Sequence, residues 1–256
     1  WLIVMGNSKH RGMRHTATEV ATLLMTRLSE LRKALSDKIE GKRKQASTGK
    51  KANKMAAVLD AEIKRAEEES DIVAEMVTNL FETVFLQRYR DTYDEIRSCC
   101  LGALGHCIVA DKSAFLQDTY LKYLGWMLND HESATVRVTT LLQLQAIYKA
   151  CAKEKEKLSN FTARFEARFI EMCSDVDAKV QCEALKFVNQ LLDLSMLSAD
   201  QRAVYEVLPV MQVGDGAQLK ALVPLLQKHM WAASTADSAT QQERASGKKS
   251  KKGKRK

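Results

Sequence analysis

Proline and glycine are scarce in this chain. Its 256 residues include two prolines and eleven glycines, and few residues of these types means few helix breakers. Leu, Ala, Lys, Glu and Met, which favour helices, are abundant. The composition therefore predicts an almost wholly helical, all-α protein.

Long apolar runs are also missing. No stretch approaches the roughly 18 apolar residues that span a bilayer, so we expect no membrane partner. The opening "WLIVM" is too short for a signal peptide and has no basic region before it. Because residue 1 is Trp rather than Met, we expect the sequence to be a piece of a longer protein.

The sequence also lacks the common catalytic and metal-binding motifs. The six cysteines show no CxxC pair and the five histidines do not cluster with them, whereas zinc sites need paired spacings. Phosphate-binding glycine loops, HExxH and nucleophile elbows are lacking too. We therefore expect no enzyme, no cofactor, no small-molecule substrate, and reduced cysteines in an intracellular protein.

Positive charge is concentrated in two places. Of the net charge of +8, seven positive charges lie in the last ten residues, "GKKSKKGKRK". Six more lie in the segment 41–54, namely Lys42, Arg43, Lys44, Lys50, Lys51 and Lys54. Such clusters suit docking onto a polyanion, so we predict DNA contacts there. The tail is open to three interpretations: a nuclear-import signal, a nucleic-acid contact or a solvated end.

The first third of the chain carries two helical patterns. Apolar residues recur at three and four positions in 16–40, as Val20, Leu24, Leu28, Leu31, Leu35 and Ile39. Residues 57–85 follow a 4-3 spacing from Leu59 to Val84, typical of a coiled-coil seam. With a basic loop between them, these segments predict a long antiparallel helical hairpin within a first domain at 1–86.

An internal repeat follows. "DTYDEIRSCCLGALG" (91–105), "DHESATVRVTTLLQLQ" (130–145) and "DVDAKVQCEALKFVN" (175–189) can be overlaid, with Arg97, Arg137 and Gln181 aligned at spacings of 40 and 44 residues. HEAT and armadillo units have this length. We predict a HEAT-repeat α-solenoid over 87–231, each unit opening on an Asp at a cap or turn, with a weaker unit at 200–231. Residues 232–256 should be a disordered basic tail.

A tryptophan in "FLQDTYLKYLGWMLND" (115–130) lies off the apolar face of its helix. At about 100° per residue, Leu116, Tyr120, Tyr123, Leu124, Met127 and Leu128 share one side. Trp126 falls opposite, in line with Asp118 and Lys122. Either Trp126 packs under a neighbouring repeat and Asp118–Lys122 is an ordinary surface pair, or the stripe is a binding surface.

With these segments in view, the chain resembles the stromalin (stromal antigen) family, the HEAT-repeat subunit of cohesin. The resemblance rests on "RHTATEVATLLMTRL" (14–28), "FLQRYRDTYDEIRSCCLGALG" (85–105), residues 115–130, "LSNFTARFEARFIEM" (158–172) and "DVDAKVQCEALKFVNQLL" (175–192). It covers about residues 14–230. It implies the stromalin conserved domain and a nuclear, chromosomal protein that binds kleisin and DNA and supports sister-chromatid cohesion.

The resemblance also implies a peptide site. Stromalins accept short aromatic-x-Phe peptides from cohesin regulators, and the residues concerned correspond here to Tyr89, Asp118, Lys122, Trp126 and Arg164. The alternative is an armadillo or importin-like transport adaptor on the same kind of solenoid. That alternative expects acidic and Asn/Trp ladders along a groove, and no such ladder recurs.

Overall fold

The structure, a computed structural model, describes residues 1–48, 53–197 and 216–225, and every regular element in these ranges is helical. In chain order they are α1 (Leu2–Gly6), α2 (Arg11–Thr48), α3 (Asn53–Leu80), a π-helical segment (Phe81–Phe85), α4 (Leu86–Arg88), α5 (Asp94–Ala110), α6 (Lys112–Phe115), α7 (Asp118–Met127), α8 (Ala134–Ala150), α9 (Lys155–Glu171), a 3-10 turn (Met172–Ser174), α10 (Ala178–Asp193) and α11 (Gly216–Leu225). None of these helices is long and apolar enough to cross a membrane.

The chain divides into two compact units, Trp1–Phe165 and Glu166–Lys256. In the second unit, the Phe169 ring meets the Phe187 ring edge-on at 5.0 Å, which ties the end of α9 to α10. The division expected from the sequence at residues 86 and 87 remains a prediction. The expected disordered tail at 232–256 and most of the weak repeat at 200–231 lie outside the described residues.

Helices α2 and α3 form the predicted antiparallel hairpin. Across it Lys42 pairs with Glu62 at 2.8 Å and Arg43 with Glu67 at 2.6 Å. The predicted 4-3 seam is buried at Ala66, Val73 and Val77 of α3 and at Val84 in the π-helical segment that follows. The end of the predicted second helix differs, because residues 81–85 form a π-helical segment before α4.

The face that α2 buries is only partly the one expected, since Leu35 of the predicted stripe is buried and Leu28 and Ile39 are half-buried. Val20, Leu24 and Leu31 of the predicted apolar stripe are exposed by 46%, 41% and 47%. The buried positions of this helix are mostly small, and they are Arg14, Ala17, Thr18, Ala21, Thr22, Met25, Ser29 and Leu35. Their hydroxyls are satisfied within the helix, since Thr18 donates to the Arg14 carbonyl at 2.7 Å and Ser29 to that of Met25 at 2.8 Å. Small, satisfied side chains let another helix approach closely.

That other helix is α5, which runs parallel to α2. Contacts advance together along both helices from their N-terminal ends: Arg11 pairs with Glu95 at 2.7 Å, Thr22 bonds Cys99 at 3.2 Å, and Arg32 pairs with Asp111 at 3.2 Å. Helix α8 then packs on the opposite side of α5. At that crossing Gly105 lies against the Gln143 side chain so closely that a Cβ on Gly105 would collide with it.

A repeated hydrogen bond confirms the predicted repeat. In each unit the long polar side chain that the alignment matched donates to the carbonyl of the unit's opening Asp. The bonds are Arg97 to Asp91 at 2.8 Å, Arg137 to Asp130 at 2.8 Å and Gln181 to Asp175 at 2.6 Å. Each Asp carboxylate also accepts the amide two residues later, from Tyr93, Glu132 and Asp177 respectively. The Asp therefore closes a turn ahead of the helix.

Helix α2 carries a further copy of this arrangement. Arg14 donates to the Ser8 carbonyl six residues earlier at 2.9 Å, and the Ser8 hydroxyl accepts the His10 amide at 3.2 Å. Arg14 also donates two hydrogen bonds to the Asp91 carboxylate of the next unit, from Nε to Oδ2 at 2.6 Å and from Nη2 to Oδ1 at 3.1 Å. Arg97 repeats this on Asp130, at 2.8 and 3.2 Å. The hairpin is thus stacked as one more repeat of the HEAT solenoid.

Candidate peptide-binding site

Helix α7 presents the line of residues singled out in the sequence. It begins at Asp118 rather than at residue 115, because Asp111 caps the short α6 and the backbone turns at Leu116 (φ −78, ψ 69). Leu121, Tyr123, Leu124 and Met127 are buried, and Trp126 is 38% exposed. The interpretation that places Trp126 wholly under a neighbouring repeat does not hold within unit 1.

Stacked aromatic rings support Trp126 from below. The Trp126 ring meets Tyr123 edge-on at 5.4 Å, and Tyr123 in turn contacts Phe85 and Tyr89 at 5.4 and 5.0 Å. Phe81, Phe85 and Tyr89 stack at successive turns, with 4.7 and 5.6 Å between centroids. Tyr89 is only 6% exposed, and burial raises the pKa of its phenol. Of the five predicted residues, Tyr89 is therefore a buried one that supports the Trp126 ring through Tyr123 and offers little surface to a ligand.

Two cations lie over the Trp126 ring. Lys122 Nζ is 5.6 Å and the Arg90 guanidinium 5.5 Å from its centroid, both within cation–π range. Arg90 also lies 5.1 Å from the Tyr89 ring. Arg90 was not among the predicted residues, although it stands next to Tyr89 in "RYRD". Arg90 reaches Trp126 because the segment that follows α4 packs close to α7. A local sequence pattern does not reveal that tertiary contact.

Arg164 lies at a small cleft beside this surface. The cleft has a volume of about 30 Å³ and is lined by Asp118, Lys122, Asn160, Phe161, Arg164 and Phe165. It can take the end of one side chain but cannot enclose a ligand. The close approach of α9 to α7 depends on Gly125, since a Cβ there would collide with the Phe165 ring. Asn160, Phe161 and Phe165 were not predicted, although Phe161 and Phe165 are spaced by one helical turn.

The site is rich in cations that have no anionic partner. Within the described part of the chain, Arg90, Lys122 and Arg164 form no ion pair. Asp118, exposed at the start of α7, is the one acidic side chain that lines the cleft there. An exposed indole with adjacent unpaired cations can stack on an aromatic side chain and attract a carboxylate at the same time.

Comparison with known proteins agrees with the repeat architecture. The family model for the "Stromalin conservative domain" matches residues 90–166, and that for the "STAG domain" matches residues 1–69. The chain belongs to the stromalin family. The "YLKYLGW" segment (120–126) and Arg164 fall inside the first of these matches, whereas "RYRD" (88–91) straddles its start and leaves Tyr89 just outside.

This stromalin chain is similar to proteins from plants, animals and fungi. It is 34% identical over 203 residues to Sister-chromatid cohesion protein 3 of Arabidopsis thaliana, covering 78% of this chain and 18% of that protein. It is 34% identical to Cohesin subunit SA-1 of Xenopus laevis, covering 73% of this chain and 15% of that protein. The chain thus spans less than a fifth of the length of these relatives.

A solved structure shares the fold of this stromalin chain. Cohesin subunit Scc3 from Z. rouxii superimposes with a TM-score of 0.75 at 22% identity, over 88% of this chain and 26% of that one. At this level of identity the likeness concerns the fold alone, and it agrees with the solenoid predicted from the sequence.

Of the residues predicted to bind DNA, Lys42, Arg43 and Lys44 have described side chains, and each of them already has a partner. Lys42 pairs with Glu62, Arg43 with Glu67, and Lys44 with Glu40 at 2.6 Å. The hydrogen bonds from these lysines lower the pKa of Glu62 and of Glu40. Lys50 and Lys51 lie outside the described residues, as does the side chain of Lys54 in α3.

The two most deeply buried cysteine thiols with raised pKa values, Cys100 and Cys173, are poor candidates for chemistry in this stromalin chain. Burial raises the pKa of Cys173 to about 12 and that of Cys100 well above its usual value, so both remain thiols at neutral pH. Among the described residues no group of His, Cys, Asp and Glu is arranged to hold a metal ion.

Proposed function

We propose that this chain acts as part of a non-catalytic subunit of cohesin, in the nucleus and on chromosomes, in support of sister-chromatid cohesion. The support is that the similar proteins are named as cohesin subunits or sister-chromatid cohesion proteins. Its partners in this proposal are a kleisin, double-stranded DNA and regulator peptides with an aromatic-x-Phe motif.

The surface around Trp126 carries the peptide-binding part of the proposal. A half-exposed indole, flanked by the cations of Arg90 and Lys122 and backed by a rigid aromatic stack, suits an aromatic peptide with acidic neighbours, and Arg164 adds a third cation at the adjoining cleft. Trp and Arg are enriched at binding hot spots because they bring large contact area and directional polar groups. Asp118 lies at the cleft and orients the ligand by excluding a second acidic group from that side.

A titration with defined peptides tests this proposal. Three synthetic peptides are compared by calorimetry: an aromatic-x-Phe peptide with acidic flanks, the same peptide with both aromatics changed to Ala, and one with the acids changed to amides. Binding that requires both aromatics and weakens when the acids become amides supports the site. Equal affinities for all three peptides would refute it.

DNA binding is the second part of the proposal, supported by the six cations at 42–54. The pair of Arg43 with Glu67 is exposed on both sides and the pair of Lys42 with Glu62 is exposed at the glutamate, so both are screened by water and contribute little to stability. Phosphates can therefore replace those carboxylates at little cost. Binding would be independent of sequence and steeply dependent on salt.

A further inference from the structure

Tyr93 differs from the other tyrosines that the structure describes. It lies between α4 and α5, its backbone is extended (φ −99, ψ 126), and its side chain is 37% exposed. The other four tyrosines with described side chains are buried or half-buried. Connecting segments of this kind present side chains to other proteins. Tyr93 is therefore the described tyrosine that an enzyme reaches most easily.

The phenol oxygen of Tyr93 takes no part in holding the fold together. The hydrogen bonds of this residue use its backbone, since the amide donates to the Asp91 carboxylate at 3.1 Å and the carbonyl accepts the Arg97 amide at 3.2 Å. Its phenol oxygen has no hydrogen-bond partner among the described residues. The adjacent Thr92 hydroxyl, in contrast, donates to the Asp91 carboxylate at 3.3 Å. Modification of the Tyr93 oxygen thus breaks no hydrogen bond of the fold.

Two guanidinium groups lie over the Tyr93 ring. The Arg11 guanidinium is 4.3 Å and that of Arg14 5.5 Å from the ring centroid. Arg14 is held in its buried ion pair with Asp91. Arg11 pairs instead with Glu95, and both of these side chains are half-exposed. Because water screens such a pair, Arg11 can exchange its carboxylate for a stronger anion at little cost.

We propose that Tyr93 is a phosphorylation site and that Arg11 receives the phosphate. A tyrosine kinase transfers the γ-phosphoryl group of ATP to the Tyr93 oxygen, whose proton passes to the catalytic aspartate of the kinase while ADP leaves. Asp94 and Glu95 follow Tyr93 directly, and charge patterns of this kind direct kinases to their substrates. The proposal therefore names an acid-directed tyrosine kinase as the partner.

The phosphate links α2 to α5 at their N-terminal ends. It carries about −1.5 to −2 charges at pH 7 and three strong acceptor oxygens, which form charge-assisted hydrogen bonds with a guanidinium. Arg11 is the first residue of α2 and Tyr93 directly precedes α5. The screened Arg11–Glu95 pair is exchanged for a stronger contact between the same two helices, and Glu95 turns to water. Phosphorylation thus tightens the attachment of the hairpin to the repeat that follows.

A kinase assay on the full chain tests the acceptor. The chain is incubated with ATP and the catalytic domain of an acid-preferring tyrosine kinase, and each tyrosine is followed by peptide mass spectrometry. We expect Tyr93 to be phosphorylated at least about tenfold faster than Tyr120 or Tyr123, because those two require local opening. Asp94→Asn with Glu95→Gln should slow the reaction at Tyr93. Phosphorylation of Tyr93 no faster than that of Tyr120, or only after unfolding in urea, would overturn the assignment.

The role of Arg11 is tested without a kinase, by placing phosphotyrosine at position 93 through suppression of a stop codon in the full chain. Hydrogen exchange of the amides of residues 8–14 should slow by about threefold relative to the unmodified chain, because the phosphate holds the start of α2. Arg11→Gln should abolish this difference. Arg27→Gln, which removes an exposed arginine of the same helix from its pair with Glu30, is the matched control and should preserve it. Equal exchange with and without the phosphate, or a difference that persists in Arg11→Gln, would show that Arg11 does not receive it.

Discussion

At the scale of single residues, the line Asp118, Lys122 and Trp126 could be predicted because it depends only on helical periodicity. The burial of Tyr89 could not be predicted in this way, because it results from contacts with the rings of Phe85 and Tyr123 on other segments. The same reason applies to Arg90, whose neighbour Trp126 is distant in sequence. The cation partners of an exposed ring are set by tertiary approach and not by spacing.

Arg90 yields the prediction that belongs to this scale. Arg90→Ala should weaken binding of the acidic aromatic-x-Phe peptide by about 1 kcal/mol, or roughly fivefold, because it removes a cation from the Trp126 ring. The melting temperature should hardly change, since Arg90 is exposed. Arg65→Ala, another exposed arginine that is remote from α7 in sequence, is the control in the same calorimetric titration. Equal losses of affinity for both variants would assign the effect to overall charge.

At the scale of helices, the sequence predicted the α3 seam correctly and the buried face of α2 only in part, being wrong for Val20, Leu24 and Leu31. Helix α2 has two faces that can be buried, one of small residues used by α5 and one of large residues left exposed. Periodicity favours the large side chains, whereas close parallel packing requires the small ones. The choice depends on which neighbour is present, and a single helix pattern does not contain that information.

Two glycines of α5 test this explanation of close packing. Ala is normally preferred to Gly in a helix by about 1 kcal/mol. At Gly102 nothing lies within 4 Å of an added Cβ, so Gly102→Ala should raise the free energy of unfolding. At Gly105 the added Cβ meets the Gln143 side chain, including its Cβ, which cannot swing away. Gly105→Ala should therefore lower the free energy of unfolding by about 1–3 kcal/mol, as measured by urea unfolding. Equal effects at both sites would show that α5 and α8 are not so closely packed.

At the scale of the whole molecule, the repeat spacing predicted the solenoid, and the opening Asp of each unit predicted a turn. The alignment did not extend to α2, because Ser8 replaces the Asp. The hydrogen bonds of Arg14 reveal that the hairpin belongs to the stack. The ion pair between Arg14 and Asp91, with side chains 10% and 2% exposed, therefore joins the hairpin to the following repeats.

Acid should weaken this connection. Burial alone would raise the pKa of Asp91, but the hydrogen bonds from Arg14, the Tyr93 amide and Arg88 outweigh it, and the pKa is lowered. The stabilisation is thus present above the unfolded pKa of about 3.9 and is lost as the pH falls through the folded value. Asp91→Asn should cost about 3–5 kcal/mol at pH 7 and flatten the fall in melting temperature below pH 4. Glu95→Gln, in the exposed pair with Arg11, should do neither.

The charged hairpin tip yields a prediction on DNA. Changing Lys42, Arg43, Lys44, Lys50, Lys51 and Lys54 to Ala should flatten the log–log salt dependence of duplex binding by about 0.9 for each phosphate that is no longer neutralised. Glu62→Gln with Glu67→Gln should instead raise the affinity, because it frees Lys42 and Arg43 from their ion pairs. Fluorescence anisotropy across a salt series measures both. An unchanged slope in the first variant would place the DNA-binding surface elsewhere.

The most direct test of the central claim, that Trp126 anchors a peptide, is Trp126→Ala followed by a peptide titration and a thermal melt on the same sample. We predict that peptide binding weakens by about 2 kcal/mol or more, roughly thirtyfold in Kd, with a melting temperature close to that of the parent chain. Trp1→Ala, which truncates a tryptophan that is 86% exposed, should change neither quantity. A large drop in melting temperature with unchanged peptide affinity would contradict this claim and make Trp126 a structural residue.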